Sequence, residues 1–143
     1  MNTFTHAAPV AENRRLNFLP KMFGTNYFLN GEASLFDFAH ALMPDYAGGH
    51  WEFFHRTGDG VHFAVPNVPD ASRLCVSGNY FDREVSAQAA GIILSLFALN
   101  AMAHRASSRG DETGTDFLAD RYYALRDYAK DHPDRAAIFA AID

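Results

Sequence analysis

The stretch SAQAAGIILSLFALNAMAHR, residues 86–105, decides the fold of this chain. Large apolar side chains occupy almost the whole circumference of the helix that it predicts, namely Ile92, Ile93, Leu94, Leu96, Phe97, Leu99 and Met102. A helix that is apolar on all sides is buried inside a protein. The most apolar run, 87–103, is shorter than the roughly 20 residues of a membrane span and is interrupted by polar side chains. We therefore expect a central core helix, capped by Ser86, and no membrane contact.

Helical periodicity predicts three further helices on either side of this stretch. The first covers 30–43, with Asn30 as its N-cap. The other two cover 116–131 and 134–141. Small and polar residues at 106–114 predict a flexible loop before this pair.

Alternating apolar residues predict three short strands between the first helix and the central one. The strands cover 50–55, 61–65 and 73–77. The fold class is therefore α+β, with a small antiparallel sheet of three to four strands packed against about four helices, one of them central and buried. Residues 1–13 are polar and predict a disordered N-terminal arm, followed by a single domain over 14–143.

Composition and charge exclude several classes of protein. Of the 143 residues, 48% are hydrophobic and 20% are charged, so one domain with a substantial core is expected. The net charge of −5 opposes phosphate binding, and it is sparse beside duplex DNA, which carries one charge per about 1.7 Å of axis. We therefore expect neither direct nucleic acid binding nor bulk imitation of DNA.

The single cysteine, Cys75, is consistent with a reducing cytoplasm, because it has no partner for an intrachain disulfide. It lies between Leu74 and Val76 in a predicted strand. This position favours a small buried apolar side chain over a nucleophile.

The sequence holds no arrangement that is typical of a catalytic or metal site. Seven histidines are present, but none belongs to an HExxH motif or a paired Cys/His arrangement, so we expect neither a metal nor a cofactor. The alternative is a small hydrolase-like enzyme with a site near the 50–63 hairpin, built from Glu52, His55 and His62. Such an enzyme requires a deep pocket with converging polar groups. Strand alternation instead places Glu52 on a solvated outer face, so we predict that the protein is not an enzyme.

Six segments that follow one another in order carry a resemblance to a known family. They are RRLNFLPKMFG at 14–24, YAGGHWEF at 46–53, SAQAAGI at 86–92, LFAL at 96–99, YALRDYAKDHP at 123–133 and IFAAID at 138–143. Together they resemble the ArdB/KlcA antirestriction proteins from about residue 14 to the C-terminus. The resemblance implies a compact α+β protein, encoded on a plasmid or other mobile element, that relieves type I restriction of incoming DNA without catalytic residues.

The resemblance does not identify the molecular target, and our hypothesis is that the protein acts by protein interaction or by indirect regulation. The expected partner is the type I restriction-modification complex or a host regulator of it. The candidate contacts are Arg15, Glu32, Trp51 and Asp143. Trp51 is either an exposed anchor or a core residue, and burial tendencies favour the core. We expect a monomer. An acidic DNA mimic stays open as an alternative only if the acidic residues after 110 form a continuous stripe.

Overall fold

The computed structural model describes residues 4–143 and builds them into five helices and five short strands. The helices are α1 (Phe18–Phe23), α2 (Phe28–Leu42), α3 (Ala87–Ser108), α4 (Glu112–Lys130) and α5 (Arg135–Ile142). The strands are β1 (Ala8–Pro9), β2 (Glu52–Arg56), β3 (Val61–Val65), β4 (Ser72–Val76) and β5 (Phe81–Val85). Two 3-10 helices, Glu12–Asn17 and Ser77–Asn79, complete the structure. The predicted α+β class is confirmed.

The strands form two antiparallel sheets instead of the single predicted sheet. β1, β2 and β3 make the first sheet, and β4 and β5 make the second. The chain leaves the first sheet after Pro66, and α3 rather than a fourth strand covers the free edge of β3. β5 escaped the sequence analysis because charged residues fill its centre and only Phe81 and Val85 at its ends are buried.

Gly91 and Ser95 let α3 pack directly against the edge of β3. The Ser95 hydroxyl accepts the Ala64 N–H at 3.0 Å and lies 3.4 Å from the Ala64 carbonyl oxygen. A Cβ atom at Gly91 would lie 2.6 Å from that same carbonyl oxygen, so the approach requires glycine. α3 therefore forms the predicted central core and also covers an edge strand that would otherwise expose its backbone.

By length and composition alone, α3 is the one helix in the described part of the chain that could cross a membrane. The core helix of a soluble protein passes the same test. Here most of α3 is buried within the fold, as the all-round apolar pattern predicts.

Two helices begin earlier than the sequence predicts. The Gly31 N–H donates to the Tyr27 carbonyl at 2.7 Å, so α2 is already helical before Asn30, which is not its N-cap. Asp111 caps α4, since its carboxylate accepts the Gly114 N–H at 2.9 Å. The predicted loop at 106–114 is therefore reduced to residues 109–111.

The segment 4–13 differs from the predicted disordered arm, because it packs onto the domain. Ala8 lies opposite His55 in β2, and the Ala7 N–H donates to the Tyr128 hydroxyl at 3.0 Å. The Phe4 ring lies 5.1 Å from the Tyr128 ring. These contacts order the segment by burying apolar surface against α4, which local polarity does not reveal. Residues 1–3 of the predicted arm lie outside the described residues.

Candidate interaction surfaces

Two of the four predicted contact residues, Arg15 and Trp51, lie against each other. Arg15 Nη2 donates to the Trp51 carbonyl at 2.7 Å, and the guanidinium lies 4.4 Å from the centre of the Phe53 ring. Trp51 itself is only 5% exposed. This burial contradicts the interpretation of Trp51 as an exposed anchor and agrees with the core interpretation.

Aromatic side chains from three parts of the chain enclose Trp51. Its indole N–H donates to the Tyr46 hydroxyl at 2.9 Å. The Phe36 ring from α2 meets the indole edge-on, at 5.7 Å between centroids. We call Arg15, Phe36, Tyr46, Trp51 and Phe53 the Trp51 cluster. Its polar groups are hydrogen-bonded to one another, and it packs the start of β2 against the middle of α2.

Glu32 borders the Trp51 cluster from the outer face of α2. It is half-buried and lies one helical turn from Phe36. Leu29 and Phe36 share this face and are 69% and 38% exposed. Glu32 is therefore placed beside apolar side chains that reach solvent, which is a suitable composition for the edge of a protein contact.

The second surface lies at the turn between β4 and β5, residues 77–80, which we call the hairpin tip. Tyr80 is 95% exposed and has a left-handed backbone with φ of 62°. Asn79 holds this conformation, since its side chain accepts the Phe81 N–H at 3.1 Å and donates to the Ala141 carbonyl at 2.7 Å. A non-glycine residue in this conformation is strained, and such strain is concentrated at functional positions.

A groove of about 530 Å³ lies beside Tyr80. Arg73 and Asp82 line this groove. Arg73 donates two hydrogen bonds to Asp82, at 2.8 and 2.7 Å, and lowers the pKa of that carboxyl to about 2. Desolvation and a 3.3 Å hydrogen bond to Asp82 raise the pKa of the Cys75 thiol. The thiol stays protonated at neutral pH, which opposes a nucleophilic role.

Asp143 lies at the same end of the molecule as the hairpin tip. Its N–H donates to the Phe139 carbonyl at 3.0 Å, and its side chain is exposed. Asn79 bonds to the carbonyls of Ala140 and Ala141, so the end of α5 is fastened to the turn that carries Tyr80. The sequence singled out Asp143 but not Tyr80, although the Gly78-Asn79 dipeptide already indicated a turn there.

The residues of the alternative hydrolase do not converge. His55 and His62 lie opposite each other in β2 and β3, with ring centroids 6.5 Å apart, whereas Glu52 is on the other face of β2 and exposed. Burial lowers the pKa of His62 to about 4, and its Nδ1 lies 3.0 Å from the Gly60 carbonyl oxygen. Within residues 4–143, no group of three or more His, Cys, Asp or Glu side chains is arranged to hold a metal ion.

A serine, a histidine and an aspartate do meet where α3, α4 and α5 join, but not in a catalytic order. Ser86 donates to Asp134 Oδ2 at 2.8 Å. Both nitrogens of the buried His132 ring have partners of their own, because Nδ1 accepts the Asp134 N–H at 3.0 Å and Nε2 lies 2.6 Å from Gln88 Oε1. The imidazole has no free nitrogen with which to activate Ser86, so the arrangement ties three helix ends together.

Several basic side chains are engaged within the fold. Among residues 4–143, three ion pairs involve a lysine or an arginine, namely Arg56–Asp59, Arg73–Asp82 and Lys130–Asp127. Other guanidinium groups lie over aromatic rings, as Arg121 does over Phe117 at 4.8 Å. A protein that binds DNA directly presents a row of free cations to the phosphates, and these side chains are engaged elsewhere.

Comparison with known proteins identifies the family. A family model described as Antirestriction protein matches residues 44–143. The chain belongs to this antirestriction protein family, as the six segments predicted. Two relatives from Escherichia coli, each named antirestriction protein KlcA, are 40% and 41% identical over 137 and 139 residues. The alignments cover 96% of this chain and 94% and 92% of those relatives.

A solved structure has the same fold. It aligns over 100% of both chains with a TM-score of 0.85 and 39% sequence identity. The solved structure comes from a description of the KlcA and ArdB proteins. These proteins are said to show a novel fold and antirestriction activity against type I DNA restriction systems in vivo but not in vitro. The two-sheet, five-helix architecture is therefore that of the KlcA and ArdB proteins.

Proposed function

We propose that this protein relieves type I restriction of incoming plasmid or phage DNA by contacting another protein. The contacted protein is the type I restriction-modification complex or a host regulator of it. Membership of the antirestriction family and the activity described for KlcA and ArdB support the proposal. An activity seen in vivo but not in vitro supports a requirement for a cellular component beyond the restriction enzyme and its DNA.

The observation that carries the protein contact is the hairpin tip. Tyr80 buries almost none of its ring, yet the backbone of its turn is held by three hydrogen bonds of the Asn79 side chain. A backbone that is already ordered loses little entropy on binding, and tyrosine is enriched at the energetic centres of protein interfaces. Asp143 at the same end, and Glu32 beside the exposed side chains of α2, are the further contacts that we propose.

The charges favour a protein contact over imitation of DNA. Three of the carboxylates after residue 110 are engaged within the fold. Asp111 accepts the Tyr27 hydroxyl at 2.6 Å, Asp127 pairs with Lys130 at 3.0 Å, and Asp134 accepts from Ser86. These contacts tie the three carboxylates to groups of the fold, which does not favour a continuous stripe with one charge per about 1.7 Å of axis. Our proposal therefore excludes bulk DNA mimicry as the mechanism, and it places a monomer without enzymatic activity in the cytoplasm.

The test is the plating efficiency of unmodified phage on a host with a type I restriction system. Cells that express the protein should restrict less than cells without it. Tyr80→Ala should lose this relief at an unchanged protein level, because the contact is lost while the fold stays intact. Leu16→Ala is the matched control, since Leu16 is also 95% exposed but lies in the 3-10 helix near the N-terminus.

Each outcome of this assay decides a separate point. Unchanged restriction in cells with the wild-type protein would reject the antirestriction function. Full relief by Tyr80→Ala would reject the hairpin tip as the contact. Equal loss in Tyr80→Ala and Leu16→Ala would mean that any exposed apolar side chain matters, which contradicts a defined contact at Tyr80.

A further inference from the structure

A groove between α3 and α4 contains an arginine that the proposed contacts do not use. The groove measures about 230 Å³ and is lined by Asn100, Ala103, Ala119, Tyr122, Tyr123 and Arg126. Tyr123 is 57% exposed and forms one open wall. The groove lies on α3 and α4, whereas the hairpin tip is in the second sheet.

The guanidinium of Arg126 is held in place but is not satisfied. Its Nε atom is buried and has no hydrogen-bond partner among residues 4–143. Its Cζ lies 5.7 Å from the centre of the Phe139 ring in α5, which supports the planar face of the group. Burying a charged donor without an acceptor costs free energy. The fold therefore retains an arginine whose hydrogen-bonding capacity is not used internally.

Four other arginines have hydrogen-bond partners within the fold. Arg15 donates to the Trp51 carbonyl at 2.7 Å, and Arg121 donates to the Lys21 carbonyl at 3.0 Å. Arg56 and Arg73 form ion pairs with aspartates. Arg126 takes part in none of the ion pairs of the described residues, although acidic residues outnumber basic ones in the chain, 17 to 12.

We propose that the Arg126 groove binds a carboxylate, namely an Asp or Glu side chain on a partner protein. A guanidinium matches a carboxylate with two parallel hydrogen bonds. Asn100, Tyr122 and Tyr123 line the same groove. Their amide and hydroxyl groups are hydrogen-bond donors of the kind that a carboxylate accepts. The preference for a carboxylate follows from the Arg126 guanidinium in the groove. Only the identity of the partner protein rests on the proposed function.

A single guanidinium favours a carboxylate side chain over a DNA backbone. Binding to duplex DNA engages a series of phosphates with several cations. Arg126 is the one basic residue among those that line the groove, and its neighbour Lys130 is paired with Asp127 at 3.0 Å. The apolar parts of Tyr123 and Ala103 can instead contact the methylene groups of an acidic side chain on a protein surface.

The direct test uses purified full-length protein and an acetylated tetraglutamate peptide. Titration is followed in every variant by the backbone amide NMR signals of the residues that line the groove, and in the wild type also by the Arg126 Nε–H signal. The peptide should shift these signals, and Arg126→Gln should bind the peptide about tenfold more weakly, the loss expected for one charge-assisted pair. Arg135→Gln is the matched control, because Arg135 is an exposed arginine on α5 and its loss should leave binding unchanged.

A second variant keeps the test decisive if Arg126→Gln unfolds. Asn100→Glu places a carboxylate on an exposed position of α3 that lines the same groove. The new carboxylate should form an ion pair with the Arg126 guanidinium. This pair should raise the melting temperature of the protein and abolish peptide binding.

Three results would overturn the assignment. The first is equal peptide affinity in the wild type and in Arg126→Gln. The second is peptide binding that persists in Asn100→Glu. The third is a shift of the Arg126 signal by a short DNA duplex but not by the peptide. Loss of restriction relief in cells does not enter this test. Failure of the carboxylate site is thus separable from failure of the antirestriction function, which the plating assay measures with the wild-type protein.

Discussion

The Trp51 cluster and the hairpin tip both present aromatic side chains, but they do so in opposite ways. In the cluster, the indole is buried, its N–H is bonded to Tyr46, and Arg15 closes over the neighbouring Phe53. At the tip, Tyr80 extends into solvent from a strained backbone. The cluster contributes to the stability of the fold, whereas Tyr80 contributes almost nothing to it. The contact that we propose therefore rests on exposure that is maintained against backbone strain, and not on an aromatic residue in a recognisable motif.

The largest expected effect is on the stability of the Trp51 cluster. Trp51→Ala removes a buried ring and leaves the Tyr46 hydroxyl without its donor, so the free energy of unfolding should fall by about 3–5 kcal/mol. Tyr80→Ala should change it by less than about 0.5 kcal/mol, as for most surface substitutions. Urea unfolding of both variants measures the difference, and similar losses in the two would contradict the contrast between the two regions.

The second effect is a pH dependence beside the Trp51 cluster. The His62 ring lies 5.6 Å from Phe18, which stacks on Phe53 at 4.3 Å. Because burial lowers the pKa of His62 from 6.5 to about 4, the unfolded chain takes up a proton before the folded one does. Stability from this group is complete above pH 6.5 and is lost as pH falls towards 4, by about 3 kcal/mol.

The ion pair of Arg73 and Asp82 beside the hairpin tip should not change its contribution to stability in that pH range. Arg73 keeps the pKa of Asp82 at about 2, so this carboxylate loses its stabilising charge only below its unfolded pKa of 3.8. Unfolding measured from pH 7 to 4 should be steep in the wild type and flatter in His62→Gln, while Asp82→Asn should keep the wild-type slope. A wild-type slope in His62→Gln would show that another group is responsible.

A smaller effect is expected at the edge of the Trp51 cluster. Arg15→Ala removes a charged donor from the Trp51 carbonyl and the cation from the Phe53 ring, which should cost about 2 kcal/mol in the free energy of unfolding. Arg14→Ala is the matched control, since Arg14 is the exposed neighbouring arginine. If the two variants lose equally little stability, Arg15 is free to act as the partner contact that the sequence suggested.

The smallest expected effect on stability has the opposite sign. Tyr80→Gly relieves the left-handed conformation, and after the entropy of glycine in the unfolded chain is subtracted the protein should be stabilised by about 0.5 kcal/mol. Restriction relief should nevertheless fall, because the side chain is gone. Thermal unfolding and the plating assay, run on the same variant, separate the two contributions. Destabilisation by more than Tyr80→Ala causes would show that the ring itself supports the tip.

The long-range contacts explain where prediction from the sequence failed. α3 was found because its apolar pattern is local, and the family was found because its six segments keep their order. The order in residues 4–13 depends on Tyr128, which is 121 residues from Ala7, so no local pattern announces it. β5 was missed for a similar reason, because its charged residues face solvent and only its pairing with β4 defines it as a strand.

The sequence by itself determined the central helix, the α+β class, the family and the modest net charge of −5. These properties follow from periodicity, composition and the order of motifs, all of which are read along the chain. Only the tertiary structure decided that Trp51 is buried, that Tyr80 is presented to solvent and that Arg126 keeps an unbonded donor. Exposure and hydrogen-bond satisfaction depend on which distant residues pack together, and the spacing of residues along the chain does not contain that information.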